Sequence, residues 1–271
     1  MLFRSALTTA ANDSGSRMEV QAIEDVSDAA AVLDRVLETA RSLDGLILSG
    51  YVEKNLMAEL ENARVPHVVF GHPMFETLSL ETTHGQIVAS DEVSMGELAV
   101  QALVRAGHSR ISFVCEVVPR GLWTARWLRG YHVGLSELGR PVDPDLIKIA
   151  GVPMAGGEMA LEQLLALDQP VTAHVIPDVR IAASFLAAAR LRGKPIDPQC
   201  VVVGGLLALL RRYNLEHLPW IVTDHDQLAA VAVRQLRQIC QEPMPCVTEL
   251  LVPFKSNNQP QPAANGATPR N

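Results

Sequence analysis

The stretch Leu103-Val-Arg-Ala-Gly-His-Ser-Arg-Ile-Ser-Phe-Val-Cys115 passes from a helical pattern into a strand. Val93–Arg105 carries apolar residues at helical spacing, which predicts an amphipathic helix with one buried face. Ile111–Cys115 is a short, mostly apolar run of the kind that forms a strand covered on both sides. A helix followed directly by a buried strand is the repeating unit of an α/β protein.

The same alternation extends over most of the chain. Regular alternation of strand and helix predicts doubly wound parallel sheets with right-handed crossovers. Helices are expected at Ala29–Arg41, Ala125–Leu138, Gly157–Ala166, Ile181–Leu191 and Gln227–Ile239 as well. The predicted strands are Met18–Ile23, Gly45–Leu48, His67–Phe70, Ile87–Ala89, Ile111–Cys115, Ala173–Ile176, Cys200–Val203 and Ile221–Thr223.

Two blocks share one plan of strand, helix, strand and helix, which predicts two lobes. Ligands of such sheets bind beyond the carboxyl ends of the strands. The end of the chain differs, because residues 255–271 are rich in Pro, Asn, Gln and Ala and lack an apolar pattern. We expect that segment to be a disordered tail.

Composition bears on partners and on the cellular compartment. The formal net charge of −7 argues against a surface that binds nucleic acid or an anionic membrane. No apolar run approaches the length of a signal peptide or a membrane span. None of the four cysteines forms a CxxC pair, so we expect reduced thiols in a cytoplasmic protein.

Catalytic signatures are missing from the sequence. There is no G-x-G-x-x-G after a strand, no Walker A motif and no G-x-S-x-G elbow, and no histidine spacing suits zinc. Asp91, Asp178 and Asp224 follow predicted strands, where a carboxylate caps the next helix or binds a ligand more often than it catalyses. We therefore expect a protein that is not an enzyme and needs no cofactor or metal.

Several short motifs occur in a characteristic order. Asp44-Gly-Leu-Ile-Leu48, Val65-Pro-His-Val-Val69, Gly107-His-Ser-Arg-Ile111, Arg129-Gly-Tyr131 and Val201-Val-Val-Gly204 are five of them. Together they resemble the signature of the LacI/GalR family of bacterial repressors. Each motif is short, but the resemblance covers nearly the whole chain, up to about Phe254.

The resemblance implies a ligand-sensing core like a type I periplasmic binding protein. The first lobe would be residues 1–89 plus 226–243, and the second 90–223 plus 247–254. A small-molecule effector, sugar-like or of another kind, would bind between the lobes. Lobe closure would then shift attached DNA-reading heads, as a change of population between two states. The family also implies a homodimer.

Two departures concern the start of the chain. The family begins with a helix-turn-helix head that reads the major groove. From the resemblance, both this head and the first strand of the sensing core would precede Met1. We expect that the reading frame starts at an internal Met of a longer gene, or that the gene is degraded. Operator DNA is then a partner only if a head lies upstream.

A third departure concerns the effector site. Trp127 stands where the family commonly has an arginine, and Pro177 precedes Asp178 in place of an asparagine. Trp127 could stack on a ligand ring or could be a plain core residue. The predicted effector residues are Ser49, His72, Asp91 and Asp178 for hydrogen bonds, Arg126 for charge, and Tyr51 and Trp127 for stacking.

Two alternatives to a regulator's sensing core remain at this point. One is a free-standing small-molecule binding protein of the same fold. The other is a non-functional truncated remnant, which the missing first strand favours.

Overall fold

A computed structural model describes residues 3–23, 29–50, 52, 54–71, 86–116, 122–151, 153–242 and 248–257. Within these ranges the chain forms two compact units. Unit 1 runs to Ser90 and resumes from Asp224 to Pro253, while unit 2 runs from Asp91 to Thr223 and continues from Phe254. The chain therefore passes between the units three times. In the described parts, no helix has the length and apolar character needed to cross a membrane.

Helices and strands alternate along both units. The helices are α1 Arg4–Asp13, α2 Ala29–Ala40, α3 Lys54–Asn62, α4 Glu92–Arg105, α5 Leu122–Glu137, α6 Pro153–Leu165, α7 Val179–Leu191, α8 Leu207–Arg212 and α9 His225–Gln241. The strands are β1 Leu46–Ser49, β2 His67–Phe70, β3 Gln86–Ser90, β4 Ile111–Cys115, β5 Ile147–Ile149, β6 Ala173–Ile176, β7 Val201–Gly205, β8 Trp220–Thr223, β9 Thr248–Val252 and β10 Phe254–Ser256. Every predicted strand but the first is confirmed to within about two residues.

Unit 1 is built on a parallel four-stranded sheet in the order β1-β2-β3-β9. Successive side chains of each strand point to opposite faces of the sheet. Val68 and Phe70 pack with α1 and α9, whereas Val69 packs with α2 and α3. Because helices cover both faces, these strands are apolar on both sides, which is the pattern that predicted them.

Unit 2 is built on a six-stranded sheet in the order β10-β8-β7-β6-β4-β5. Neighbouring strands of this sheet are parallel, except that β10 runs antiparallel to β8. One face packs against α4 and α5, and the other packs against α6, α7 and α8. Each unit is thus one α/β lobe built on a largely parallel sheet, which confirms the predicted fold class.

Small residues let α4 and α5 pack with their backbones in contact. A Cβ added at Gly130 would lie 2.0 Å from the backbone oxygen of Val93, and one at Gly96 would lie 2.3 Å from the backbone oxygen of Trp127. Both distances are far below van der Waals contact. Glycine is therefore required at this crossing, and the crossing fixes the position of α5 over the sheet.

The predicted strand Met18–Ile23 is wrong, because these residues form neither helix nor strand. Met18 packs against the α1/α9 side of the unit 1 sheet and Ile23 against the α2/α3 side. The segment therefore leads the chain from one face of the sheet to the other. Apolar alternation favours a strand only where a neighbour completes the hydrogen-bond ladder, and no described strand pairs with it.

The structure divides the segment 247–254, which the sequence analysis placed in the second lobe. Thr248–Val252 pairs with β3 in unit 1, whereas Phe254–Ser256 pairs with β8 in unit 2. Pro253 stands between them and has no N–H to continue a ladder. Lys255 and Ser256 also belong to β10, so the predicted tail does not begin at 255. Residues 258–271 lie outside the described residues.

Candidate functional site

The unit 2 sheet changes winding direction between β4 and β6. After β4 the chain moves outward to β5, and it then returns to place β6 on the other side of β4. The connecting helices α5 and α6 pack on opposite faces of the sheet. In open α/β sheets the crevice beyond the carboxyl ends of such a pair is where ligands bind.

Two acidic residues follow the two strands at this point. Glu116 comes directly after β4, and Asp178 comes after Ile176 and Pro177 at the end of β6. Asp178 is the N-cap of α7, and its Oδ1 accepts a hydrogen bond from the backbone N–H of Arg180 at 2.7 Å. A carboxylate at a helix N-terminus is stabilised by the unpaired N–H groups and the helix dipole.

Arg180 joins the two carboxylates. Its Nε donates to Asp178 Oδ1 at 3.1 Å, its Nη2 donates to Asp178 Oδ2, and Nη2 also lies 3.6 Å from Glu116 Oε2. The hydrogen bond to Asp178 is the main cause of a raised Arg180 pKa, and the charges of Asp178 and Glu116 add to it. The guanidinium therefore remains charged, and the cluster of Glu116, Asp178 and Arg180 has a formal charge of −1.

Trp127 is a core residue of unit 2. Its side chain is 2% exposed and packs in the cluster between α4, α5 and the sheet. A Cβ added at Gly204 would lie 2.7 Å from Trp127 Cζ2 and 2.9 Å from Pro177 Cα. The indole ring thus packs against the end of β7, next to the Pro177–Asp178 turn. In this structure it is too buried to offer a stacking face.

Arg126 and Asp91 are both engaged at the N-terminus of α4. The Nε of Arg126 lies 3.7 Å from Glu92 Oε2, and the two side chains are only 13% and 10% exposed. Asp91 is the N-cap of α4, where it accepts from the backbone N–H of Ser94 at 3.2 Å and from the Ser94 hydroxyl at 2.7 Å. These contacts fix the start of α4.

The expected capping by strand-end carboxylates is confirmed. Asp91 and Asp178 cap α4 and α7, and Asp224 caps α9 by accepting from the backbone N–H of Gln227 at 3.3 Å. The loss of an N-cap carboxylate typically costs about 1 kcal/mol. These three residues therefore stabilise helices whether or not they also bind a ligand.

The predicted site residues are divided between the two units. Asp91, Arg126, Trp127 and Asp178 belong to unit 2, while Ser49 is the exposed last residue of β1 in unit 1. The remaining two, Tyr51 and His72, lie outside the described residues. Within unit 2, Asp91 and Arg126 both lie at the start of α4, and Trp127 packs at Gly204 beside Pro177, the residue that precedes Asp178.

Sequence reasoning missed Glu116 and Arg180. Glu116 could have been found, since it directly follows the apolar run Ile111–Cys115 in the same way that Asp178 follows its own strand. Arg180 has a weaker signal, because a basic residue in the first turn of a helix is usually unfavourable near the dipole's positive end. Its position is explained by its hydrogen bonds to the N-cap carboxylate.

One buried polar pair lies away from this edge. The hydroxyl of Ser112 is 2.8 Å from His174 Nδ1, across the β4–β6 ladder, and the ring of Phe185 packs edge-on to the imidazole. Burial lowers the pKa of His174 to about 4, with a smaller contribution from the charge of His108. The imidazole is therefore neutral at pH 7, and the pair satisfies two buried polar groups.

The described side chains include no group of three or more His, Cys, Asp or Glu arranged to hold a metal ion. The described groups at the β4/β6 crevice are two carboxylates and a guanidinium. The Glu116 carboxylate can accept hydrogen bonds from a ligand, and the Arg180 guanidinium can donate hydrogen bonds to one. Both side chains are partly exposed, at 33% and 40%.

Comparison with known proteins gives relatives by sequence. No protein-family model matches the chain. Catabolite control protein A of Priestia megaterium is 29% identical over 199 residues, which are 72% of this chain and 58% of that protein. The repressor CytR of Escherichia coli K12 is 28% identical over 165 residues, 60% of this chain and 46% of CytR. The chain thus spans about half the length of the relatives it matches.

Solved structures give the same picture of the fold. A complex of the transcriptional regulator CelR with cellobiose has a TM-score of 0.76 at 19% identity, covering 94% of this chain and 76% of that one. A LacI-family regulatory protein from Chloroflexus aggregans gives 0.76 at 20% identity, covering 94% and 89%. A ribose-bound LacI-family regulator from Enterococcus faecium gives 0.70 at 19% identity, covering 94% and 92%.

The resemblance to the LacI/GalR family is confirmed by these relatives. Those matched by sequence are transcriptional regulators rather than enzymes. The solved structures, which are themselves transcriptional regulators, share the α/β fold of this chain.

Proposed function

We propose that this chain is the effector-sensing core of a cytoplasmic, LacI/GalR-type bacterial transcriptional regulator without catalytic activity. The observation that carries the proposal is the β4/β6 crevice of unit 2, where Glu116, Asp178 and Arg180 gather at the carboxyl ends of two parallel strands. The similarity to regulators over 72% of the chain supports the same function.

The proposed ligand is a small, sugar-like molecule, with no metal or cofactor. The crevice offers one charged donor and one charged acceptor on partly exposed side chains. Such convergent polar groups on a rigid sheet suit a ligand with several hydroxyl groups. Two structural neighbours contain cellobiose and ribose, which supports the same class.

The proposed mechanism of sensing is a shift between two conformational states. A ligand changes that equilibrium only by as much as it prefers one state over the other. DNA binding would come from a head attached to this core, and the regulator would act as a homodimer. Analytical ultracentrifugation tests the dimer: a mass near twice 29.4 kDa is expected, and a mass of 29.4 kDa at micromolar concentration would contradict it.

A thermal-unfolding screen against sugars and nucleosides tests the sensing function. A ligand present at about 100 times its Kd should stabilise the protein by about 2.7 kcal/mol. Asp178→Asn should reduce this stabilisation, since the amide oxygen can still cap α7 but the charge that holds Arg180 is gone. Asp197→Asn is the matched control, because Asp197 also caps a helical turn, by accepting from the Gln199 N–H at 2.9 Å.

The control variant should keep the full ligand-induced shift. Equal shifts in wild type, Asp178→Asn and Asp197→Asn would remove Asp178 from the site. A screen in which no small molecule stabilises the wild-type chain would contradict the sensing function itself.

A further inference from the structure

Arg180 and Glu116 have no role in the site expected from the sequence, yet they lie at the point where the sheet changes direction. Arg180 extends from the first turn of α7 and Glu116 from the end of β4. Their charged atoms are 3.6 Å apart. The pair therefore spans the two strands whose carboxyl ends form the crevice.

The guanidinium of Arg180 is oriented by its own helix cap. Nε and Nη2 both donate to the Asp178 carboxylate, which is itself held by the Arg180 backbone N–H. Within the described ranges no hydrogen bond involves Nη1, and the side chain is 40% exposed. A guanidinium fixed along one edge has lost much of its rotamer freedom, so little further entropy is lost when another group binds Nη1.

The charge of the cluster restricts what can bind there. Glu116 and Asp178 contribute two negative charges against the one positive charge of Arg180. An anionic group such as a phosphate would meet Arg180 only beside two carboxylates, which repel it. A neutral hydroxyl pair meets no such repulsion, because one hydroxyl can accept from Nη1 while its neighbour donates to Glu116.

We propose that Arg180 and Glu116 are effector-binding residues of unit 2, and that together they select an uncharged ligand with adjacent hydroxyl groups over its phosphorylated form. Asp178 is then a positioning residue, which fixes the guanidinium and caps α7. The inference rests on the proposed sensing function, and it adds the separate role of each of these residues and a preference for an uncharged ligand.

The test uses matched neutral and anionic probes on the intact chain. Cellobiose, ribose with ribose 5-phosphate, and glucose with glucose 6-phosphate are titrated against wild type by thermal unfolding, and binding is quantified by calorimetry. Arg180→Gln and Glu116→Gln are the test variants. Arg190→Gln is the control, since Arg190 lies in the last turn of the same helix and is exposed.

We expect a neutral sugar to bind wild type and Arg190→Gln alike, and its phosphate to bind at least tenfold more weakly. Arg180→Gln and Glu116→Gln should each weaken the neutral sugar roughly tenfold or more, as for lost hydrogen bonds to charged groups. Glu116→Gln makes the formal charge of the cluster zero, so it should also reduce the difference in affinity between a neutral sugar and its phosphate. Because Glu116 caps none of the helices whose caps the structure describes, this variant keeps the test valid if Arg180→Gln is unstable.

Two results would overturn the inference and leave the sensing function standing. One is a probe that binds wild type and both test variants with the same affinity within twofold. The other is a phosphorylated probe that binds more tightly than its neutral partner. If no probe binds wild type, the choice of hydroxylated ligands is wrong. The thermal-unfolding screen against sugars and nucleosides then tests the sensing function itself.

Discussion

Gly204→Ala tests whether Trp127 is a packed core residue next to the candidate site. The added methyl group would lie 2.7 Å from Trp127 Cζ2, 2.9 Å from Pro177 Cα and 3.0 Å from the Pro177 backbone oxygen. The first two distances are shorter than Cβ contacts in real proteins, and the third is at the lower limit of such contacts. Either the indole or the Pro177 turn, which leads into α7, must therefore move.

The expected cost follows from two opposing effects. Overpacking a close-packed core by one methyl group costs about 1–3 kcal/mol. Replacing a strand glycine with alanine recovers roughly 0.5–1 kcal/mol of backbone entropy. We therefore expect Gly204→Ala to lower the free energy of unfolding by about 1–2 kcal/mol. In a protein of this size, each kcal/mol corresponds to about 2–4 °C in Tm.

The free energy of unfolding is measured by urea titration for wild type, Gly204→Ala, Trp127→Phe and the double variant. Trp127→Phe removes Cζ2, the atom that the new methyl group would meet. This substitution also lowers the free energy of unfolding by itself, because the smaller ring leaves packing contacts unmade. Since the clash is then reduced, Gly204→Ala should cost less in the Trp127→Phe background than in wild type. Relief should be partial, because the contacts with Pro177 remain. A neutral Gly204→Ala, or costs that add within about 0.5 kcal/mol, would refute the packing described for Trp127.

Other predictions concern the helix crossing and pH. Gly130→Ala should lower the free energy of unfolding in urea by about 2–3 kcal/mol, because its Cβ would lie 2.0 Å from a backbone oxygen that cannot easily move. The control is Ser136→Ala at an exposed position of the same helix, which should change that free energy by no more than about 0.5 kcal/mol. Equal effects of the two substitutions would contradict the close crossing. His174 has a pKa of about 4 when folded, against 6.5 ordinarily, so the unfolded state binds more protons between these values. The free energy of unfolding should therefore fall by up to about 3 kcal/mol as pH drops from 6.5 to 4. His174→Gln should reduce this pH dependence, and an unchanged slope would show that His174 is not its source.

The sequence predicts the strands well because each one is buried on both faces. His67–Phe70 and Ile111–Cys115 match the structure at both ends, since apolar runs stop where the chain leaves the core. Met18–Ile23 fails for the opposite reason. Its first residues alternate between apolar and polar, as in a strand with one buried face, but a strand also needs a partner, and partners depend on the tertiary arrangement.

The site was harder to predict than the fold. The cap at Asp178 follows from a local rule, in which an acidic residue after a strand meets the N–H groups of the next helix. That Glu116 and Arg180 meet depends on β4 lying beside β6, and this strand order is not encoded in any single segment. Burial of Trp127 depends in the same way on the glycine crossing that sets the position of α5.

Hydrogen–deuterium exchange can locate the small-molecule site, by comparing the chain with and without a saturating amount of the sugar that stabilises it most. We expect peptides at the end of β4 and around residues 176–182 to become protected, because ligand contacts there suppress local opening. Unit 2 peptides away from the carboxyl edge, such as the loop after α7, should change little. Unchanged exchange at 176–182, or protection confined to the helices α1 and α9 of unit 1, would contradict a small-molecule site at the β4/β6 crevice.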